Sequence, residues 1–392
     1  MLYTDIMIRY GELTLKGKNR KDFIDCLFTN VKKAFLDFSS LTFEKQYDRM
    51  YIHLNECQDI NEMIRRLRFI SGISSFSLVS KVNKEMEEIQ NMTLAILKEQ
   101  LDDNVKTFKV VANRSDKSFP IISDQINRNV AGVILRNTSL KVDVHQPDVK
   151  IKIEVRLDAC YISIKNYEGL KGFPLGIGGK GLLMISGGID SPVAGFLMMK
   201  KGVKIEAIHF SSPPYTSEMA IYKVKTLIKS LAKIQGDIKL YVIPFTELQL
   251  KIYEVCGDAY AITIMRRMMY RIADIVAKKD NCLCIINGES VGQVASQTLQ
   301  SMQVINEVSN SVIIRPLAIM DKNDIIQIAK EINTYATSIL PYEDCCTIFD
   351  PKNPTTKPKL KECYFLEEKF DFTSMIEKCI LEAKVEYIKV DD

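Results

Sequence analysis

The sequence holds no tryptophan and only three histidines in 392 residues. Its ten cysteines never fall in a CxxC spacing; the nearest approaches are Cys282-x-Cys284 and the adjacent pair Cys345-Cys346. With so few imidazoles and no paired thiolate spacing, a bound structural metal is not expected. His53 and His145 sit in strand-like text, far from any cysteine pair. No apolar run reaches the ~18 residues of a membrane-spanning helix. The opening MLYTDIMIRYGE has no basic end followed by a long apolar core, so an export signal is not expected either. The cysteines are therefore expected to be reduced thiols in a cytoplasmic protein with no membrane partner. Also lacking is GxxxxGK[ST]: Gly181 is followed by Leu182, which disfavours a Walker-type nucleotide site.

What is present is ordinary globular material. Hydrophobic residues are 46% and charged residues 26%, enough for sizeable cores, and the length suits two or three domains. The net charge is +4, and residues 61–171 carry the whole excess, with 18 basic against 14 acidic side chains. Basic patches concentrate anionic partners such as nucleic acid.

Three blocks emerge along the chain. Residues 1–60 read as strand, helix, strand, with the basic, glycine-punctuated stretch RYGELTLKGKNR before the helix. That stretch suits a solvated turn. It also suits a phosphate-contacting arm, in which glycines let the backbone approach while Lys16, Lys18 and Arg20 neutralise charge. Residues 61–165 read as a second α/β unit, with Arg114 closing the strand TFKVVANRS and Arg128 and Arg136 on the helix DQINRNVAGVILRN. Seven glycines and prolines then fall between Gly169 and Gly181, marking a boundary. From 172 to 392 strands and helices alternate, as in a doubly wound parallel sheet with strands LLMIS, KIEAIHF, KLYVIPF, CLCIIN and SVIIRPL.

The first of those strands ends in Ser186-Gly187-Gly188-Ile189-Asp190-Ser191, and a helix is expected to open at Pro192. Two glycines remove side chains so that backbone N–H groups can surround phosphate oxygens. The helix start adds its dipole. Serine hydroxyls add hydrogen bonds, and Asp190 can hold a magnesium ion or cap the helix. Strand, SGGxDS and helix in this order point to ATP.

SGGIDS resembles the pyrophosphate loop of the N-type ATP pyrophosphatases. RYGELTLKGKNR, SGGIDSPVAGFLMMKKG, HFSSPPYTSE, GQVASQTLQSM and LPYEDCCTIFDP together resemble the tRNA 4-thiouridine synthetase (tRNA sulfurtransferase) family from Arg9 to about Pro358. The resemblance implies an α/β multidomain protein. A ferredoxin-like domain would span 1–60, an RNA-binding THUMP domain 61–165, and an ATP pyrophosphatase domain 172–392. It implies that uridine in tRNA, near position eight, is adenylated at O4 and then thiolated at C4. It further implies a homodimer and a cysteine desulfurase as sulfur donor. The C-terminal rhodanese domain of many members is not expected here. That tells against a second role known for some relatives, sulfur delivery to a carrier protein for thiamine thiazole synthesis. Two other readings share SGGIDS: an adenylating enzyme acting on a small molecule, and a catalytically inactive RNA-binding protein.

The resemblance also implies roles for single residues. Met184, Ile185, His209 and Phe210 end the first two strands and would meet the adenine, although by position alone they read as core. Arg266 is preferred to Arg267 as an ATP contact. Gly288 would permit close approach to the nucleotide and Gln297 would hydrogen-bond it. Asp321 reads as a helix N-cap, and Lys322 would neutralise phosphate charge. Cys345 follows an acidic pair and is the preferred persulfide acceptor; Cys346 is its rival or resolves the resulting disulfide. Cys26, Cys160, Cys282 and Cys284 read as buried small hydrophobes. Candidate tRNA contacts are Lys16, Lys18, Arg20, Arg114, Arg128 and Arg136.

Overall fold

The computed structural model describes residues 2–55, 59–101, 104–342 and 353–390. The chain divides into two compact units, Met1–Pro174 and Leu175–Asp392, and the division falls inside the glycine-rich stretch.

The first unit contains β1 (Asp5–Arg9), α1 (Arg20–Ala34), β2 (Thr42–Lys45), β3 (Arg49–His53), α2 (Ile60–Leu67), β4 (Ser75–Val82) and α3 (Met86–Gln100). It continues with β5 (Thr107–Arg114), α4 (Ser123–Asn137), β6 (Lys141–Val142), β7 (Val149–Val155), β8 (Cys160–Ser163) and β9 (Tyr167–Glu168). Among the described residues these strands form one sheet in the order β2-β3-β1-β4-β8-β7-β5-β6, with β9 paired to β4. Alternation along β1 shows why. Ile6 and Ile8 enter the core built with α1–α4, whereas Met7 turns to a small cluster with Tyr51, Val79, Ala159 and Tyr161 on the other face. β4 pairs with β1 through one stretch and with β8 through another, so a single strand serves both halves of the sheet.

The sheet curls. Glu154 on β7 reaches Arg9 on β1 at 2.8 Å and also pairs with Arg49 on β3, while Arg156 grips Asp48 at 2.9 and 3.1 Å. The sequence reading of residues 1–60 omitted β2, which hairpins with β3 through Gln46–Asp48. His145 is in a bend after β6 rather than in a strand, because Asp143 accepts the His145 and Gln146 N–H groups and turns the chain.

The second unit holds β10 (Lys180–Met184), α5 (Asp190–Lys200), β11 (Lys204–Ser211), α6 (Glu218–Gln235), β12 (Ile238–Pro244), α7 (Thr246–Lys279) and β13 (Cys284–Ile286). After these come α8 (Leu299–Asn306), β14 (Val312–Ile314), α9 (Lys322–Glu331), α10 (Tyr335–Ser338), α11 (Leu360–Glu367), α12 (Phe372–Leu381) and β15 (Lys384–Ile388). The strand order is β14-β13-β10-β11-β12-β15. All five strands expected from the sequence are parallel neighbours. The edge strand β15 was not expected. It runs antiparallel on β12, and its half-exposed text KVEYI has no continuous apolar run to betray it. Leu182, Ile208, Tyr241, Ile243 and Ile285 pack with α7 into the core. α7 breaks at Gly257 (φ 63°, ψ 172°), so its two halves take different directions.

Candidate functional site

Strand order reverses on either side of β10: β11 and β12 follow on one flank, β13 and β14 on the other. In an open parallel sheet the crevice at such a reversal, beyond the carboxyl ends of the strands, is where ligands bind. A cavity of about 460 Å³ lies there. Met184, Ile185 and Ser186 from the end of β10 line it, with Asp190 and Ser191 from α5, and His209 and Phe210 from β11. Arg266 from α7, Gly288 after β13, and Gln297 complete the set of expected residues on its wall. Gly187 and Gly188 occupy the turn between Ser186 and α5 and are not on the lining.

The turn is closed by hydroxyls. Ser191 Oγ accepts the Ser186 N–H at 2.9 Å and donates to the Ser186 carbonyl at 3.2 Å, while Ser186 Oγ accepts the Gly188 N–H at 3.3 Å. α5 begins at Asp190, two residues before the expected Pro192, and the Asp190 side chain lies in the first turn without capping it. Its carboxylate instead receives Lys322 Nζ from the first residue of α9, and Gln293 Nε2 at 3.0 Å. Asp321 does occupy the N-cap position of α9, but its side chain makes no capping bond.

Gly288 approaches something other than open cavity. A Cβ added there would sit 2.7 Å from Asp190 C and Ser191 N, so only glycine lets the β13 loop lie against the start of α5. His209 Nδ1 donates to the Ile185 carbonyl at 3.1 Å, which fixes that tautomer. Phe210 stands edge-on to Phe245 at 5.2 Å. Gln297 Oε1 accepts the Ser290 N–H at 3.3 Å.

Several lining residues were not anticipated. Met265 and Met269 lie one helical turn apart on α7 beside Arg266. Asn287 and Glu289 flank Gly288, and Glu289 binds Arg266 and Arg315 together, the latter at 2.6 Å. Burial raises the Glu289 carboxyl, but the two guanidinium groups outweigh it and hold the acid below the usual glutamate range. The available signal was an acid soon after the apolar run CLCII and an arginine in SVIIRPL. A buried charge without a partner is too costly to keep, so each called for a partner without identifying it. Pro354, beyond the cysteine pair, also lines the cavity. Thr355 N–H donates to the Ala259 carbonyl at 3.0 Å, just past the Gly257 break.

Cys345 and Cys346 lie outside the described residues. Of the described cysteines, six are buried, whereas Cys26, expected to be buried, is only partly so. Burial pushes the thiols of Cys160, Cys363 and Cys379 up to about 11, and those of Cys256 and Cys282 up to about 12. Cys284 is shifted the same way. These are poor nucleophiles, as packed small hydrophobes should be.

In the first unit, Lys16 Nζ sits over the Phe173 ring at 4.1 Å, Lys18 is exposed, and the Arg20 guanidinium stacks 3.8 Å over Tyr47. Gly11 (φ 57°) serves packing: a Cβ there would collide with Ser74. Arg128 is exposed and pairs with Asp124 at 2.8 Å, and Arg136 is exposed in the last turn of α4. Arg114 differs, since it donates to the Phe119 and Ile121 carbonyls at 2.7 Å and braces that loop.

Comparison with known proteins agrees with the fold. The family model described as Thiamine biosynthesis protein (ThiI) matches residues 176–372, the ThiI ferredoxin-like domain matches 5–77, and the THUMP domain matches 83–165. A protein named "Probable tRNA sulfurtransferase" from Brevibacillus brevis is 47% identical over 99% of this chain and 97% of its own length. One of the same name from Staphylococcus saprophyticus is 49% identical over 97% of this chain and 93% of its own. A crystal structure of a 4-thiouridine synthetase–RNA complex with bound ATP superposes with a TM-score of 0.90 at 37% identity, covering 99% of this chain and 100% of that one.

Proposed function

The chain belongs to the ThiI family of tRNA sulfurtransferases, and on that premise we propose that it converts uridine in tRNA, at about position eight, to 4-thiouridine at the expense of ATP. The observation that carries this reading is the cavity at the end of β10, with its closed Ser186–Ser191 turn and the α5 N-terminus beside an apolar wall.

The apolar side (Ile185, Phe210, Met265 and Met269) suits an adenine ring. The turn N–H groups and the start of α5 suit phosphate oxygens. Asp190 is the carboxylate that a magnesium ion would use, since Mg²⁺ keeps most of its waters and takes one or two carboxylates plus phosphates. That ion would supply charge neutralisation on the phosphates. Lys322, already on Asp190, brings a second cation to the same place. Uridine O4 attacks the α-phosphorus, the bond to pyrophosphate breaks, and an O4-adenylate forms. A persulfide on Cys345 or Cys346 then attacks C4, and AMP leaves with the O4 oxygen. A thiol cuts the remaining S–S bond to leave sulfur on the base, and Cys346 is the neighbour for that task if Cys345 is the acceptor. The resulting disulfide is reduced by an external thiol.

The first unit would hold the tRNA through its phosphates and shape, with Lys16, Lys18, Arg20, Arg128 and Arg136 as contacts and Arg114 bracing the loop that carries Phe119 and Ile121. The donor is a cysteine desulfurase, the working form a homodimer, and the compartment the cytoplasm. Among the described residues no helix is long and apolar enough to cross a membrane. Sulfur delivery to a carrier protein for thiamine thiazole is a second role in keeping with the name of the family model. The domain limits proposed are 1–60, 61–165 and 172–392.

The test is nucleoside mass analysis of unmodified tRNA incubated with the protein, Mg-ATP, cysteine and a cysteine desulfurase. A 4-thiouridine peak, lost in Asp190→Ala and in one of Cys345→Ser and Cys346→Ser, is expected. Absence of both 4-thiouridine and tRNA-dependent AMP would sink the reading.

A further inference from the structure

Glu289 is a nearly fully buried acid, 3% exposed, on the wall of the cavity. Its two oxygens have different partners. Oε1 takes Arg266, whose side chain also lines the cavity. Oε2 takes Arg315 Nε at 2.6 Å, Asn287 Nδ2 at 2.8 Å and the Tyr270 hydroxyl at 3.4 Å. Arg315 is itself held by Asn306 Oδ1 at 2.6 Å, from the end of α8.

Stability alone is a weak reason for such a cluster, because buried ion pairs are often no better than apolar residues of the same volume. Orientation is a stronger one. An arginine side chain has large rotamer freedom, and holding it from behind removes that freedom before a ligand arrives. Two guanidinium groups on one carboxylate also leave one net positive charge at the cavity wall. Anchored through Arg315 and Asn287, Glu289 cannot follow Arg266 if a ligand pulls on it.

We propose that Glu289 is a positioning residue that acts through Arg266, fixing its guanidinium for the negative charge that develops as pyrophosphate departs. The proposal rests on the reading of this cavity as the ATP site. It concerns α7 and the β13 loop, not the Ser186–Ser191 turn.

The test is a double-mutant cycle on the full-length protein, following tRNA-dependent pyrophosphate release and the KM for ATP. Glu289→Gln keeps the shape and removes the charge. It is expected to lower kcat roughly 100-fold, the scale of a small misplacement at a reacting centre, with KM for ATP changed less than about 3-fold, because both arginine charges remain. Arg266→Ala is expected to lower kcat at least as far. The double variant should be no slower than Arg266→Ala, since Glu289 then has nothing to position. A merely structural role predicts instead that the two losses multiply, or that kcat is unchanged while thermal stability falls. Either result overturns the proposal. If Glu289→Gln does not fold, Glu289→Asp, which keeps the charge and withdraws the carboxylate, is run through the same cycle with the same expected non-additivity. A wild-type protein that neither binds ATP nor releases pyrophosphate overturns the ATP reading itself, and is told apart from failure of the positioning role by the inactive wild type.

Discussion

Arg266 and Arg267 are consecutive on α7 yet face opposite environments. Arg266 lines the cavity and meets Glu289, whereas Arg267 is fully buried, bonded to Glu367 through Nε at 2.6 Å and to Glu307 at 3.1 Å. One residue turns a helix by about 100°, enough to place one guanidinium on the cavity wall and the other between α7 and α11. Arg271, one turn on, shares Glu367 at 2.8 Å.

The two arginines should therefore fail differently. Arg267→Ala leaves buried carboxylate and carbonyl groups short of a donor, and should cost about 3 kcal/mol, read as a lowered urea midpoint. Arg266→Ala should lower that midpoint less, because Glu289 keeps Arg315, Asn287 and Tyr270, and should abolish most pyrophosphate release.

Gly288→Ala should be severe for its size. The added methyl would lie 2.7 Å from backbone atoms at Asp190 and Ser191, which cannot yield without moving the start of α5. Overpacking of this kind costs roughly 1–3 kcal/mol. Calorimetric ATP binding should weaken at least about 10-fold, as 1.4 kcal/mol implies.

Lys322→Gln removes the cation on Asp190, a contact made across 132 residues of sequence. Pyrophosphate release should fall roughly 100-fold, while the melting temperature changes little because the pair is partly exposed. A wild-type rate in this variant would remove Lys322 from the chemistry.

Acid should loosen the cavity wall. The folded pKa of Glu289 is depressed, so its contribution to stability is fully present above the unfolded value near 4.5. It is lost as pH falls through the lower folded value. Urea unfolding from pH 6 downward should show wild type losing more stability below the usual glutamate range than Glu289→Gln does. Parallel curves for the two proteins would contradict this.

Thiol labelling should be selective. At pH 8 the buried Cys160, Cys256, Cys282, Cys284, Cys363 and Cys379 should resist iodoacetamide in the native protein, because burial keeps them as thiols. Mass mapping should find label at Cys345 or Cys346, and prior loading with sulfane sulfur should change the mass at the acceptor.

Much of the second unit was legible because its signals are local. The apolar runs LLMIS, KIEAIHF and KLYVIPF are short, continuous and followed by helical spacing, and SGGIDS lies where a strand must hand over to a helix. β15 was illegible for the converse reason: an edge strand needs only one partner, and KVEYI carries no buried run. β2 escaped for the same reason, since only Phe43 of its four residues is other than exposed.

The sequence by itself determined the alternation of the five parallel strands with helices in the second unit and the place of the Ser186–Ser191 turn, because backbone geometry near glycine and a helix start depends on neighbouring residues alone. Only the tertiary structure decided which charges meet. That Lys322 finds Asp190, that Glu289 joins Arg266 to Arg315, and that Glu154 meets Arg9 and Arg49 follows from strand order and packing. No spacing rule along the chain encodes such pairs, since a buried charge accepts whichever partner the completed core delivers.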